Sequence, residues 1–274
     1  ILKLIPKYKG GFKIVRKIVK KLSDLINKME PTQIMVIGFA IIILIGAILL
    51  NMPISTQNGE SIGFLDALFT STSAVCVTGL IAVDTSTYWS FFGQLIIITL
   101  IQIGGLGFMT MTTLFALIIK KRINLRERLL IQESLNQIDL SGLVKLTRYI
   151  LLTTVLIEGT GALLLSTVFI PQFGILKGIW YSIFHAISAF CNAGFALFSN
   201  NLEAYKANPV INLTIGYLIT LGGIGFAVIT SVIMVIRRGI DRFNLTSKVA
   251  IIISVILTFG GMILFFVLYL KTPS

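Results

Sequence analysis

The sequence predicts an all-α membrane protein made of repeated span–pore helix–filter loop–span units related by an axis along the membrane normal. Three observations predict it: an apolar composition, a segregated positive charge and an internal duplication. Of the 274 residues, 55% are hydrophobic and 12% charged, about half the charged share of an ordinary soluble domain. Such a chain cannot cover a globular surface with polar groups, and it lacks the low hydrophobicity of a disordered one. Apolar runs of membrane length decide for an integral membrane protein. The only cysteines are Cys76 and Cys191, and the only histidine is His185. That set excludes a disulfide framework and multi-histidine metal chemistry.

The formal net charge is +12, and 20 of the 23 basic residues fall within 1–30, 120–148 and 237–248. Lysine and arginine beside short loops mark the cytoplasmic side. A nucleic-acid partner is not expected, because membrane-length apolar segments separate the basic clusters. Residues 1–30 form a basic N-terminal segment with amphipathic period: Ile14, Ile18, Leu22, Leu25, Ile26 and Met29 recur at three- and four-residue steps. Two readings stay open for it, a helix on the inner leaflet attracting anionic lipids and a solvated cytoplasmic helix. It does not read as a signal peptide, since no short apolar stretch precedes a small-residue cleavage site. The chain begins at Ile1 rather than methionine, so an incomplete start is expected.

Five spans follow at roughly 20 apolar residues each: Gln33–Met52, ended by Pro53; Trp89–Ile119; Tyr149–Phe169, ended by Pro171; Val210–Ile236; and Val249–Leu270. With the N-terminus cytoplasmic, every basic cluster falls on the inside. The two outer connections contain apolar segments too short to cross, Phe64–Cys76 (FLDALFTSTSAVC) and Trp180–Cys191 (WYSIFHAISAFC). Segments of this length read as re-entrant helices, and backbone at membrane depth must be buried in protein or line water.

These pieces repeat. At an offset of 115, Phe69, Ser73, Ala74, Cys76 and Gly79 match Phe184, Ser188, Ala189, Cys191 and Gly194. At an offset of 118, Gly104-Gly105-Leu106-Gly107-Phe108 matches Gly222-Gly223-Ile224-Gly225-Phe226. The expected organisation is a first pore repeat (31–119), a basic cytoplasmic loop (120–148), a second pore repeat (149–236) and the first span (249–270) of an incomplete third. Both repeats start and end on the basic side, so they are parallel, related by an axis along the membrane normal.

Each short helix runs into a glycine turn, Val75-Cys76-Val77-Thr78-Gly79-Leu80 and Phe190-Cys191-Asn192-Ala193-Gly194-Phe195. Neither carries an acidic ring residue or a metal-binding cluster. What they can offer an ion is backbone carbonyl oxygen in place of its water shell. Aiming successive carbonyls one way needs backbone angles that glycine adopts freely. The expected filter is Val77, Thr78 and Gly79 with Asn192, Ala193 and Gly194; the backbones of Thr78, Gly79, Ala193 and Gly194 would hold a potassium ion.

With these turns in view, the chain resembles the Trk/Ktr/HKT superfamily of potassium and sodium transporters, most closely the membrane subunit of bacterial Ktr systems. The carrying residues are DALFTSTSAVCVTGL (66–80), QIGGLGFMT (102–110), KKRINLRERLLIQESLN (120–136), FHAISAFCNAGF (184–195) and GGIGF (222–226). The resemblance implies four such units around one pore, with Gly79 and Gly194 at the first two filter positions. It also implies monovalent cation conduction, a homodimer in the plasma membrane and a cytoplasmic ring of nucleotide-binding regulatory subunits. This chain stops after the first span of the third unit, so a fragment supplying two of four quadrants is expected.

Other polar residues have bland readings beside sharp ones. Gly104-Gly105 and Gly222-Gly223 suit close packing against the short helices better than phosphate binding. Glu158 lies inside a span, where a carboxylate must face protein or water; it is a candidate ion-path residue or a hydrogen-bond acceptor from a neighbouring span. Asp84 lies just outside the first turn, as a cation attractor or a solvated loop residue. Asp66 reads as a helix cap. His185 reads as a packing or hydrogen-bonding residue. Cys76 and Cys191 read as small buried thiols behind the turns, and Thr/Ser 70–73 as hydrogen-bonded within the first short helix.

The expected function is potassium uptake through a channel-like pore, with no cofactor and no enzymatic chemistry, since no nucleophile–base pair is present. Sodium coupling or sodium conduction is the near alternative. A non-conducting scaffold or regulatory half-subunit is the alternative of another class, in which the glycine turns only pack.

Overall fold

The computed structural model describes residues 31–107, 143–225, 228–229, 232 and 245–271. The basic segment 1–30, most of the loop 120–148 and the far ends of the second and fourth expected spans lie outside them. Eight α-helices follow in order: α1 (Pro31–Leu50), α2 (Phe64–Cys76), α3 (Thr85–Tyr88), α4 (Phe91–Leu106), α5 (Leu143–Phe173), α6 (Ile175–Phe190), α7 (Pro209–Gly223) and α8 (Leu245–Lys271). The described residues form no strand beyond an isolated bridge between Thr56 and Trp89. The described residues are therefore all-helical. Gln33–Leu50, Tyr149–Phe173 and Ser247–Leu264 are each long and apolar enough to cross a membrane.

The helices sort into two packed groups. In the first, α1, α2 and α4 pack on one another; in the second, α5, α6 and α7 do, with α4 also touching α6. Their shared core holds Ile97 and Ile101 of α4, Ala67 and Ala74 of α2, and Phe184 and Ala186 of α6. On α8, by contrast, Val249, Ile252, Ile256 and Leu257 are exposed.

Local chemistry sets the boundaries. After α1, Pro53 opens a 3-10 turn over Pro53–Ser55, where its missing N–H costs nothing. This stretch is sewn to the start of α4: Ser55 O accepts from Ser90 N–H at 2.9 Å, and Gln57 N–H donates to Tyr88 O at 2.9 Å. Ser90 caps α4 by accepting from Gly93 N–H at 3.2 Å. Asn208 caps α7 through Val210 N–H at 3.0 Å and Ile211 N–H at 3.2 Å, with Pro209 at the first helical position.

Several boundaries correct the sequence reading. Pro171 does not end the third span: α5 runs on to Phe173. A proline in the last turn removes one N–H, and Gly174 N–H still closes on Ile170 O at 2.9 Å. The helix also begins by Leu143, inside the expected basic loop 120–148. The second short helix starts at Ile175 rather than Trp180, because Gly174, at φ 80°, turns the chain directly out of α5. The second and fourth spans are not continuous helices. Helix α4 stops at Leu106 and α7 at Gly223. The glycines that follow, Gly107 at φ 80° and Gly225 at φ 92°, lie 118 positions apart and take a conformation outside the helical region.

The Gln94 amide joins the two groups near the start of α4. The Gln94 side chain of α4 accepts from Trp180 Nε1–H of α6 at 2.8 Å and donates to Trp89 O at 3.1 Å.

Candidate functional site

The two glycine turns have the same backbone trace. Val77 and Asn192, at φ 57° and 58°, are both left-handed, and so are Gly79 and Gly194, at 73° and 76°. The residues between them, Thr78 and Ala193, are not. Each turn closes back on its short helix five residues earlier: Thr78 N–H donates to Ser73 O at 3.0 Å, and Ala193 N–H to Ser188 O at 2.8 Å. This is the helix-ending geometry in which a left-handed residue satisfies the last carbonyls. Asparagine tolerates that conformation, whereas a β-branched valine is strained in it.

Side chains fix each turn differently. Thr78 Oγ1–H donates to Ser73 Oγ at 3.0 Å. Ser188 Oγ–H donates to Phe195 O at 2.6 Å. His185 bridges Tyr181 O, through Nδ1 at 2.7 Å, and Leu197 N–H, which donates to Nε2 at 3.2 Å. Its ring stacks on Phe198 at 4.8 Å and 21°. His185 is thus a hydrogen-bonded packing residue tying α6 to the chain beyond the second turn.

The glycine pairs of α4 and α7 make room for the turns. A Cβ on Gly104 would collide with Val75 O, and a Cβ on Gly222 with Phe190 O. Val75 and Phe190 are 115 positions apart, and each is the residue two before the left-handed one. A Cβ on Gly105 would sit 2.5 Å from Cys191 Sγ. Close packing is therefore what these glycines do.

The two turns also meet. A Cβ on Gly79 would lie 2.7 Å from Ala193 O and 3.3 Å from Gly194 Cα. The C-terminal ends of α2 and α6 lead into this meeting point, and helix C-termini carry partial negative charge that favours a cation. The turns themselves offer main-chain oxygens and, between the left-handed residues and the glycines (77–79 and 192–194), no titratable side chain.

The remaining candidates lie elsewhere. Glu158, 8% exposed on α5, accepts from Gln102 Nε2–H of α4 at 2.9 and 3.3 Å. Asp84 caps α3, accepting from Ser86 N–H at 2.8 Å and Ser86 Oγ–H at 2.6 Å; Ser86 Oγ in turn meets Ser199 Oγ at 3.1 Å. Burial opposes ionisation of Asp84, but the bonds from Ser86 and Ser199 outweigh it and hold the carboxyl below its ordinary value. Asp66 does not cap α2: Gly63 holds the cap position without a side-chain bond, and Asp66 stands exposed in the first turn. Cys191 is buried but Cys76 is exposed, and neither forms a disulfide. Thr70 and Thr72 bond Asp66 O and Leu68 O within α2 at 2.9 and 2.7 Å, while Ser71 bonds Ile43 O of α1 at 2.8 Å. Among the described residues no group of three or more His, Cys, Asp or Glu is placed to hold a metal ion. Sequence reasoning missed Gln102 and Gln94; their signal was a polar amide inside an otherwise apolar run.

Comparison with known proteins now bears on this geometry. The profile of TrkH, described as a cation transport protein, matches residues 13–272. The chain is 46% identical over 254 residues to the potassium/sodium uptake protein NtpJ of Enterococcus hirae, covering 93% of this chain and 54% of that protein. It is 44% identical over 247 residues to the Ktr system potassium uptake protein B of Bacillus subtilis, covering 90% and 55%. It is 36% identical over 245 residues to the protein of that name from Vibrio alginolyticus, covering 89% and 53%. The chain spans about half the length of these curated relatives.

Proposed function

The chain belongs to the TrkH family of cation transport proteins, and from that premise we propose that it supplies two units of a potassium-uptake pore whose selectivity filter is main-chain carbonyl. Val77, Thr78 and Gly79 form one quadrant of that filter, and Asn192, Ala193 and Gly194 the next. The ion is held by the backbones of Thr78, Gly79, Ala193 and Gly194. The observation that carries this is the meeting of two turns with one backbone trace. In an extended strand successive carbonyls point to opposite sides. Alternating left-handed and ordinary residues bring them toward one side, where they replace the water shell of a dehydrated ion.

The units are parallel repeats about an axis along the membrane normal, 31–119 and 149–236, with 249–270 opening a third. The paired contacts Gly104–Val75 and Gly222–Phe190 support that reading. The protein is multi-pass in the plasma membrane with its N-terminus cytoplasmic, as the basic clusters favour. It works as a homodimer on a cytoplasmic ring of nucleotide-binding regulatory subunits, a reading supported by its likeness to Ktr system proteins. It uses no cofactor and catalyses no covalent step. Sodium is the second candidate ion, favoured by the potassium/sodium uptake protein among the relatives.

The test is uptake of potassium and sodium by the full-length protein in a bacterium lacking its own potassium uptake. Gly79→Ser and Gly194→Ser should each lower the potassium-over-sodium ratio at equal protein in the membrane. An unchanged ratio in both variants defeats the filter assignment.

A further inference from the structure

Gln102 has no place in the filter as described, yet it touches two things that matter to it. Its Nε2–H donates to both oxygens of Glu158, at 2.9 and 3.3 Å. Its Oε1 accepts from the Cys191 S–H at 4.0 Å. Cys191 is the C-cap of α6, and the next residue is the left-handed Asn192 that starts the second turn. One amide on α4 thus links a carboxylate on α5 to the thiol at the root of the turn.

Helix α4 is shaped for this contact. Gln94, Ile98, Gln102 and Gly105 recur at steps of four, four and three, the spacing of one helix face. Gln94 reaches Trp180 of α6, and Gly105 leaves space for Cys191, whose Sγ would be 2.5 Å from a Cβ there. The sulfur is held between a glycine that cannot push it and an amide that bonds it. A carboxylate at membrane depth is costly unless bonded, and Gln102 is the side chain that bonds both of its oxygens. The primary amide can donate at one end and accept at the other, which suits it to be the middle of a chain. Position 220, equivalent to Gln102 in the second unit, is a threonine that bonds Gly216 O of its own helix at 2.7 Å, so the amide bridge is particular to α4.

We propose that Gln102 is a positioning residue for ion selection, holding the second glycine turn in register by bridging Glu158 and Cys191. The inference rests on the reading of 191–195 as part of the filter. Glu158 acts through Gln102 and does not meet the ion. Its needed property is acceptance of the amide N–H, not negative charge.

The experiment uses the full-length protein in the same uptake-deficient bacterium, reading the potassium-over-sodium uptake ratio at matched membrane protein. Gln102→Leu and Glu158→Leu should each lower the ratio about fivefold, within the range of coupling between contacting residues. The double variant should be no worse than either single one. Glu158→Gln, which keeps an acceptor oxygen, should restore most of the ratio. Gly105→Ala leaves the polar pair intact and displaces the same sulfur, so it should reproduce the loss if the leucine variants fail to fold. Gly194→Ser is measured in parallel. If it lowers the ratio while Gln102→Leu and Gly105→Ala do not, the inference is wrong and the filter reading stands. Additive losses in the double variant also overturn it. If Gly194→Ser has no effect either, the filter reading fails and takes the inference with it.

Discussion

Gly79 and Gly194 face each other across the two turns, and a Cβ on either would lie 3.3 Å from the other's Cα. The relation is not symmetric, because the Gly79 position also faces Ala193 O at 2.7 Å. Both residues have positive φ, so alanine at either costs about 1–2 kcal/mol in backbone conformation alone. Gly79→Ala adds a collision with a main-chain oxygen and is expected to destabilise more than Gly194→Ala. Thermal unfolding of the purified protein should rank them in that order; equal midpoints would contradict the close approach.

Gly104→Ala and Gly222→Ala each drive a methyl group into a carbonyl, Val75 O and Phe190 O respectively. A backbone obstacle cannot rotate away, so each should cost about 3 kcal/mol, at the upper end of overpacking penalties. Gly216→Ala, with open space around its Cβ position on the same helix as Gly222, is the control and should be neutral or stabilising. A neutral Gly222→Ala would remove the packing argument.

Val77 carries strain that Asn192 does not. At φ 57° a valine is out of place, while asparagine accommodates that angle. Val77→Asn is expected to stabilise the protein by about 1 kcal/mol, read as a higher thermal midpoint. A lower midpoint would mean that the packing of the valine side chain outweighs its backbone strain.

His185→Leu preserves the apolar surroundings but strands the Leu197 N–H, which His185 now accepts at 3.2 Å. An unpaired buried donor costs about 1–3 kcal/mol. Hydrogen exchange followed by mass spectrometry should show peptides across 195–199 losing protection. Protection equal to wild type would refute the bridge.

Asp84 sets an acid dependence. Its carboxyl is held low in the folded protein by Ser86 and Ser199 against the opposing effect of burial. The stability it contributes is present above the ordinary carboxylate pKa and is lost as pH falls through the depressed folded value. The thermal midpoint of wild type should therefore drop on acidification below about pH 4. Asp84→Asn should flatten that drop without removing the cap, since its side-chain oxygen still accepts from Ser86 N–H. A drop of unchanged slope would mean that other carboxylates set it.

The sequence made the short helix Phe64–Cys76 legible to the residue, because apolar period and a glycine turn mark both its ends. The second short helix was misjudged at its start, since nothing in Ile175–Ile179 distinguishes a helical apolar run from a span end; Gly174 was the available signal. Pro171 misled because a proline's cost depends on whether a bond follows it, which is a property of the last turn and not of the residue. The breaks at Gly107 and Gly225 were hidden inside apolar runs, where hydropathy is blind to φ. The Gln102–Glu158 bond joins residues 56 positions apart, a pairing fixed only when α4 and α5 pack. The differing exposure of Cys76 and Cys191 likewise follows from α4 seating on the second turn through Gly105, which no repeat alignment reveals.

The Gln94 amide has a practical corollary. It bonds the main chain of one tryptophan and the indole of the other, and the chain contains only these two. Tryptophan emission from these 274 residues is therefore a local optical probe of one junction between the two helical groups. A spectral shift on adding an ion would report strain at that seam without any dye or label.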